Sequence, residues 1–160
     1  MSRISSMHIL ADTYICIACR LGSKRLRKKA LRKIDGTSLI DILLTRLSSE
    51  INPKQIILCT TDEPESYCLK ERADKYGVSF YQGEKLDVMN RFIQAVSIYK
   101  NCNHIVRVTG DNPMTDIKTM LDMVHSHKIM NAEYTYTKSI PRGLRSEIIN
   151  YDYLKGLHSR

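Results

Sequence analysis

Short apolar runs alternate with amphipathic stretches from Tyr14 onward, and this alternation restricts the fold more than any other feature of the chain. Tyr14–Ala18, Gln55–Thr61, Val78–Tyr81 and His104–Thr109 read as strands, and the continuous apolar character of the first suits burial on both faces. Between the first two, Ser38–Ser49 puts Leu39, Ile42, Leu43 and Leu47 on one helical stripe, with Thr37 or Ser38 as the N-cap. Pro64–Tyr76 reads as a helix closed by Gly77. Asp87–Lys100 is helical with Val88, Phe92, Ala95, Val96 and Tyr99 inward, and Asp116–Lys128 is another helix. Glu133–Thr137 and Glu147–Ile149 fit strands, and Tyr151–His158 starts a helix. Strand-helix alternation calls for parallel pairing through right-handed crossovers, hence an α/β fold with helices on both faces of the sheet. Residues 1–12 lack a clear pattern and are read as a leader, which leaves one α/β domain over residues 13–160.

In a sheet of this kind, ligands bind beyond the carboxyl ends of the strands, where the strand order reverses. The informative segments are therefore the post-strand loops Arg20–Lys29, Thr60–Glu63, Gln82–Asp87 and Thr109–Asp116. The first of these is strongly basic. The net charge is +8, and Arg20, Lys24, Arg25, Arg27, Lys28, Lys29, Arg32 and Lys33 supply all of it, so the rest of the chain sums to zero. Backbone N–H groups near Gly22 and Ser23 fit a phosphate cradle, with Arg20 and Arg25 as bidentate clamps and Lys24 and Lys29 as point charges. Neither a Walker A loop nor a G-x-G-x-x-G fingerprint is present. On charge alone, a solvated or nucleic-acid-binding face fits this loop as well as a nucleotide site does.

The second informative loop is RVTGDNPMTD, Arg107–Asp116. A carboxylate directly after an apolar strand suits Mg²⁺ beside a phosphate, because magnesium takes oxygen ligands and keeps several waters. Asp111 fits that role and also fits an ordinary Asp-Asn-Pro turn, whereas Asp116 reads as a helix cap.

Hydrophobic residues make up 42% and charged residues 26%, a balance that suits a folded globular chain. Five cysteines and no signal-peptide pattern give the expectation of a reduced, cytoplasmic protein. Cys16 and Cys19 form a C-x-x-C without a second ligand pair, so they read as structural. His125 and His127 fall near a helix end, where a charged imidazole would favour the dipole. No apolar run reaches the roughly 18 residues of a membrane span.

IACRLGSKRLRKKAL, GEKLDVMNRFIQA and RVTGDNPMTD occur in an order and spacing that resembles the cytidylyltransferases of spore-coat-polysaccharide type, relatives of the CMP-KDO and CMP-sialate synthetases. The resemblance covers about Tyr14–Leu154. It implies a Rossmann-like nucleotide-diphospho-sugar transferase fold, mainly parallel with helices on both faces. It also implies transfer of a cytidylyl group from CTP to a sugar, sugar acid or phosphorylated acceptor, with Mg²⁺ as cofactor and pyrophosphate as product. The family's phosphate loop falls on Arg20, Leu21, Gly22, Ser23, Lys24, Arg25 and Lys29, and its metal-binding aspartate on Asp111. Asp87 and Arg91 match the middle motif facing the nucleotide or sugar. Pro141, Gly143 and Glu147, with Arg107, match the acceptor side. Arg20, Lys29 and Asp111 are the expected catalytic set, and a homodimer follows from the same analogy.

Where the family has Pro-Gly before the loop lysine, this chain has Arg27-Lys28, and Arg142 and Arg145 stand where aspartates are usual. The substituted arginines raise the expectation of a more anionic acceptor. The resemblance also implies that family members continue past Arg160, where a second metal carboxylate and the last sheet elements lie. Two readings remain open on this basis: a cytidylyltransferase, or a catalytically inactive nucleotide- or sugar-binding module. A nucleic-acid binder is disfavoured, because the chain has no tryptophan and no recognisable nucleic-acid motif.

Overall fold

The computed structural model describes residues 9–22 and 26–159. A six-stranded sheet forms its centre. Strand β1 (Thr13–Ala18) is followed by a small hairpin of β2 (Lys33–Ile34) and β3 (Thr37–Ser38), then helix α1 (Leu39–Glu50). Next come β4 (Ile56–Thr61), α2 (Cys68–Tyr76), β5 (Ser79–Gly83), α3 (Val88–Val96) and β6 (His104–Thr109). The chain then runs through α4 (Ile117–Ile129), β7 (Tyr134–Tyr136), β8 (Glu147–Asn150) and α5 (Tyr151–His158).

The strand order is β5-β4-β1-β6-β8-β7. From β1 the chain builds outward through β4 and β5, then returns to place β6 on the other side of β1, all four strands parallel. The order thus reverses between β1 and β6, which makes their carboxyl ends the crevice where a ligand is expected. Alternation along β1 explains the double-sided core. Ile15 and Ile17 pack with α1, α2 and α4, while Tyr14 and Cys16 pack with α3 and α5. Because both faces are covered, both sets of side chains are buried, and the strand reads as an unbroken apolar run.

Local chemistry sets the boundaries. Ser38 Oγ accepts the Asp41 N–H and caps α1. Gly77 takes the left-handed conformation (φ 67°) that ends α2. Asp116 accepts the Thr119 N–H and caps α4. Helix α3 stops at Val96, short of the Lys100 expected from its pattern. There Tyr99 turns inward, stacking on Tyr14 with ring centroids 4.2 Å apart.

The sheet is mainly parallel, as the sequence leads one to expect, and its antiparallel part lies at one edge. Strand β8 runs antiparallel to both β6 and β7. Residues 137–146 join β7 to β8 with only a short 3-10 turn at Arg142–Leu144, too little chain for a helical crossover. Arg145 holds this connection together: its Nε donates to the Ile140 carbonyl (2.7 Å) and its Nη2 to that of Lys138 (3.1 Å). Those bonds fix the orientation of Arg145 within its own loop while leaving its charge without a carboxylate partner among the described residues.

The dipole reading of His127 needs correction. Its side chain is fully buried, bonded through Nδ1 to Thr135 Oγ1 (2.8 Å) and set edge-on to His104. Burial pushes its pKa down from 6.5 to about 4, so at neutral pH the ring carries no charge for the dipole to act on. His104 is lowered too, again by burial. The folded-state pKa of His127 lies below the unfolded one. Its contribution to stability is therefore complete above pH 6.5 and is lost as pH falls toward 4. That loss approaches about 3 kcal/mol. Urea unfolding at pH 7.5 and pH 4.5 should show His127→Gln losing less stability on acidification than wild type. Equal losses would contradict the assignment.

Candidate active site

At the carboxyl ends of β1 and β6 lies a cavity of about 450 Å³, lined by Arg20, Lys29, Arg91, Arg107 and Asp111 together with Cys19, Ala30, Val88 and Thr109. Its cations come from different elements. Arg20 follows β1, Lys29 opens the turn before β2, Arg91 projects from α3, and Arg107 lies on β6.

Arg91 is only 3% exposed. Its Nη1 donates to the Glu84 carbonyl (3.0 Å), its Nε is buried without a partner, and it makes no ion pair with a described residue. Burial lowers its pKa, but a guanidinium keeps its charge at neutral pH. Asp62 and Asp87 act on it only through space, so this buried guanidinium at a cavity wall has no direct carboxylate contact among the described residues and suits an anion.

Asp111 meets Lys29 Nζ at 2.9 Å, with both side chains about two-fifths exposed. Its loop is held from several directions. Gly110 donates its N–H to the Ala18 carbonyl (2.9 Å), and Asp116 donates its own to Leu144 (2.9 Å). Arg46 of α1 reaches across to the carbonyls of Pro113 (2.7 Å) and Thr115 (3.0 Å). At Gly110 no side chain fits, since a Cβ would lie 2.8 Å from Cys19 Cβ and 2.9 Å from its Sγ. Tight contact between the β1 and β6 ends thus fixes where Asp111 stands. Cys19 is buried there, and burial pushes its thiol up to about 12, which rules out a thiolate role at neutral pH.

The basic loop is closed by the Lys28 N–H, which donates to the Leu21 carbonyl (2.9 Å). Ser23, Lys24 and Arg25, three of the expected phosphate ligands, lie outside the described residues. Leu21 sends its side chain into the core, so only its backbone faces the loop. Gly22 borders Glu63 and Glu65, whose carboxylates would lie 3.5 and 3.6 Å from an added Cβ. Glu63 is itself engaged with Lys85 (2.7 Å) and Thr61 (3.0 Å), and the Lys85 contact leads in lowering its pKa.

Lys28 explains how the chain accommodates Arg27-Lys28 in this loop. It adopts φ 54°, ψ 32°, the left-handed conformation natural to glycine. Lys28→Gly should relieve about 1–2 kcal/mol of that strain, less the ~0.5–1 kcal/mol of added unfolded-state entropy. A net gain of about 0.5–1 kcal/mol in urea unfolding is expected. A loss would contradict the strained assignment.

The remaining expected residues are distributed unevenly. Arg107 lines the cavity and pairs with Glu147 at 2.8 Å, so these two stand together on adjacent strands. Asp87 caps α3 through the Asn90 N–H (2.8 Å) and meets His158 Nε2 at 2.7 Å, leaving its neighbour Val88 in the cavity wall. Pro141 and Gly143 are exposed and lie outside that wall. Sequence reasoning missed Arg46, since a lone arginine on a helix reads as solvated. Thr109 and Val88 lie inside the quoted motifs RVTGDNPMTD and GEKLDVMNRFIQA, although neither stands out there as a site residue.

The cytidylyltransferase sequence profile matches residues 14–160. The chain belongs to the cytidylyltransferase family. It is 29% identical over 147 residues to the spore coat polysaccharide biosynthesis protein SpsF of Bacillus subtilis, covering 89% of this chain and 61% of that protein. Among solved structures, a cytidylyltransferase from Leptospira borgpetersenii superposes with a TM-score of 0.85 at 30% identity, over 92% of this chain and 64% of that one. A CMP:2-keto-3-deoxy-manno-octonic acid synthetase complexed with CTP superposes with a TM-score of 0.68 at 15% identity, over 92% and 78%, a likeness of fold. This cytidylyltransferase chain spans about three-fifths of the length of the curated relatives it matches. No described helix is long and apolar enough to cross a membrane.

Proposed function

We propose that this chain provides the CTP site of a nucleotidyltransferase that makes the CMP derivative of a sugar, sugar acid or phosphorylated acceptor for surface polysaccharide or glycan synthesis. In the reaction, an acceptor oxygen forms a bond to the α-phosphorus, the bond from that phosphorus to the pyrophosphate oxygen breaks, and the acceptor loses its proton. Negative charge grows on the leaving pyrophosphate.

The observation that carries this reading is the cavity at the strand-order reversal, whose wall brings Arg20, Lys29, Arg91 and Arg107 together with Asp111. Arg107 and Lys29 pair directly with carboxylates, whereas Arg91 touches none among the described residues. Arg91, buried and bonded to the Glu84 carbonyl, is the group best placed to take phosphate oxygens before the charge develops, and the exposed Arg20 can add a second contact. No nucleophile from the protein is needed, so positioning and charge stabilisation carry the chemistry.

The residues present fit Mg²⁺. Asp111 offers an accessible carboxylate in the cavity wall, and magnesium binds through one or two carboxylates together with substrate phosphates and water. When bound, the ion would neutralise phosphate charge. Lys29 holds the Asp111 carboxylate at the same edge and could equally serve a phosphate oxygen.

The test is pyrophosphate release from CTP, ATP, GTP and UTP with Mg²⁺ and a sugar-acid acceptor. Release confined to CTP supports the reading. CTP binding without turnover supports the inactive binding module, and neither binding nor turnover would overturn both.

A further inference from the structure

Beside the charged cavity lies a second cleft of about 340 Å³ with a different character. Phe92 and Leu154 are buried against it, and Met89, Tyr134 and Leu157 stand at its mouth, 40%, 44% and 38% exposed. The two cavities share Val88 and Arg107. At that boundary Arg107 pairs with Glu147, and burial together with the nearby Glu147 carboxylate raises the pKa of Tyr134. A polar doorway thus separates a cationic chamber from an apolar one.

A transferase must bring its two substrates together at such a boundary, and an apolar chamber of this volume is in the range of small-molecule sites. We infer that the acceptor carries an acyl or alkyl substituent seated in the cleft between α3, α5 and β7, while its polar groups are oriented by Arg107 and Glu147. This rests on reading the charged cavity as the CTP site, since the acceptor must attack from the adjoining one. A fully hydroxylated acceptor gains nothing from Met89, Phe92 or Leu157. Each methylene buried there tightens binding about fourfold.

Calorimetric titrations of the chain, with and without CTP and Mg²⁺, would use KDO, N-acetylneuraminate and N-butanoylneuraminate as probes. The expected result is tightest binding for the butanoyl compound, about 15-fold over the acetyl one. Leu157→Asp, and separately Met89→Asp, should abolish that dependence; two half-exposed positions guard against a single misfolded variant. Equal affinity for all three probes, or a dependence untouched by either variant, would overturn the inference. So would a dimer that either variant splits without changing probe affinity, because the cleft would then be an interface between copies. CTP is titrated on the same samples. Failure to bind CTP with acyl dependence intact would refute the nucleotide reading and keep the apolar subsite. CTP binding without acyl dependence would refute the subsite alone.

Discussion

Replacing Asp111 by asparagine is expected to lower Mg²⁺-dependent pyrophosphate release on the order of 10²–10³-fold while thermal stability shifts by only a few degrees. The asymmetry follows from where Asp111 stands. Its partner Lys29 and the carboxylate itself are both about two-fifths exposed, so their pairing contributes at most about 1 kcal/mol to folding. The loop backbone is anchored independently through Ala18, Arg46 and Leu144, and asparagine leaves all of those bonds in place. What the substitution removes is the negative charge at the edge of the proposed phosphate site. An unchanged rate would take Asp111 out of the mechanism, and a large fall in stability would make it structural.

Arg91→Met should move stability and binding in opposite directions. In the unliganded protein the guanidinium is buried with one hydrogen bond to the Glu84 carbonyl and an unpartnered Nε. Methionine fills similar space without the cost of burying an unpaired charge, so unfolding free energy should hold or rise by about 1 kcal/mol. CTP affinity should fall about 30- to 100-fold, the equivalent of about 2–3 kcal/mol for losing a charge-assisted contact in a sheltered site. Equilibrium unfolding and calorimetry on the same preparation would read both. A variant that is less stable yet binds CTP normally would make Arg91 a structural residue.

The central strands and their order of chemistry were legible because their signals are local. Strand β1 is buried on both faces, so Tyr14–Ala18 could be read without knowing its neighbours. Ser38, Gly77 and Asp116 mark helix ends through their own side chains or backbone conformation. The reversal between β1 and β6 then brings the Arg20 loop and Asp111 to one cavity, as their positions after strands suggested. What escaped was non-local. Insertion of β8 between β6 and β7 is set by tertiary pairing, since Glu147–Asn150 alone has no direction. The β2–β3 hairpin turns through Asp35 and Gly36, both at positive φ, but its strands are two residues each and largely exposed, so no periodicity announced it. His127 sits on a helix end where sequence suggests solvent, and only the packing of β7 and His104 closes over it.

The central proposal is a CTP site between β1 and β6. Calorimetric titration of the chain with CTP, ATP, GTP and UTP in Mg²⁺ tests that most directly. The expected result is saturable one-to-one binding that favours CTP and weakens in Arg91→Met. No saturable heat with any nucleotide, or equal affinity in wild type and Arg91→Met, would contradict it.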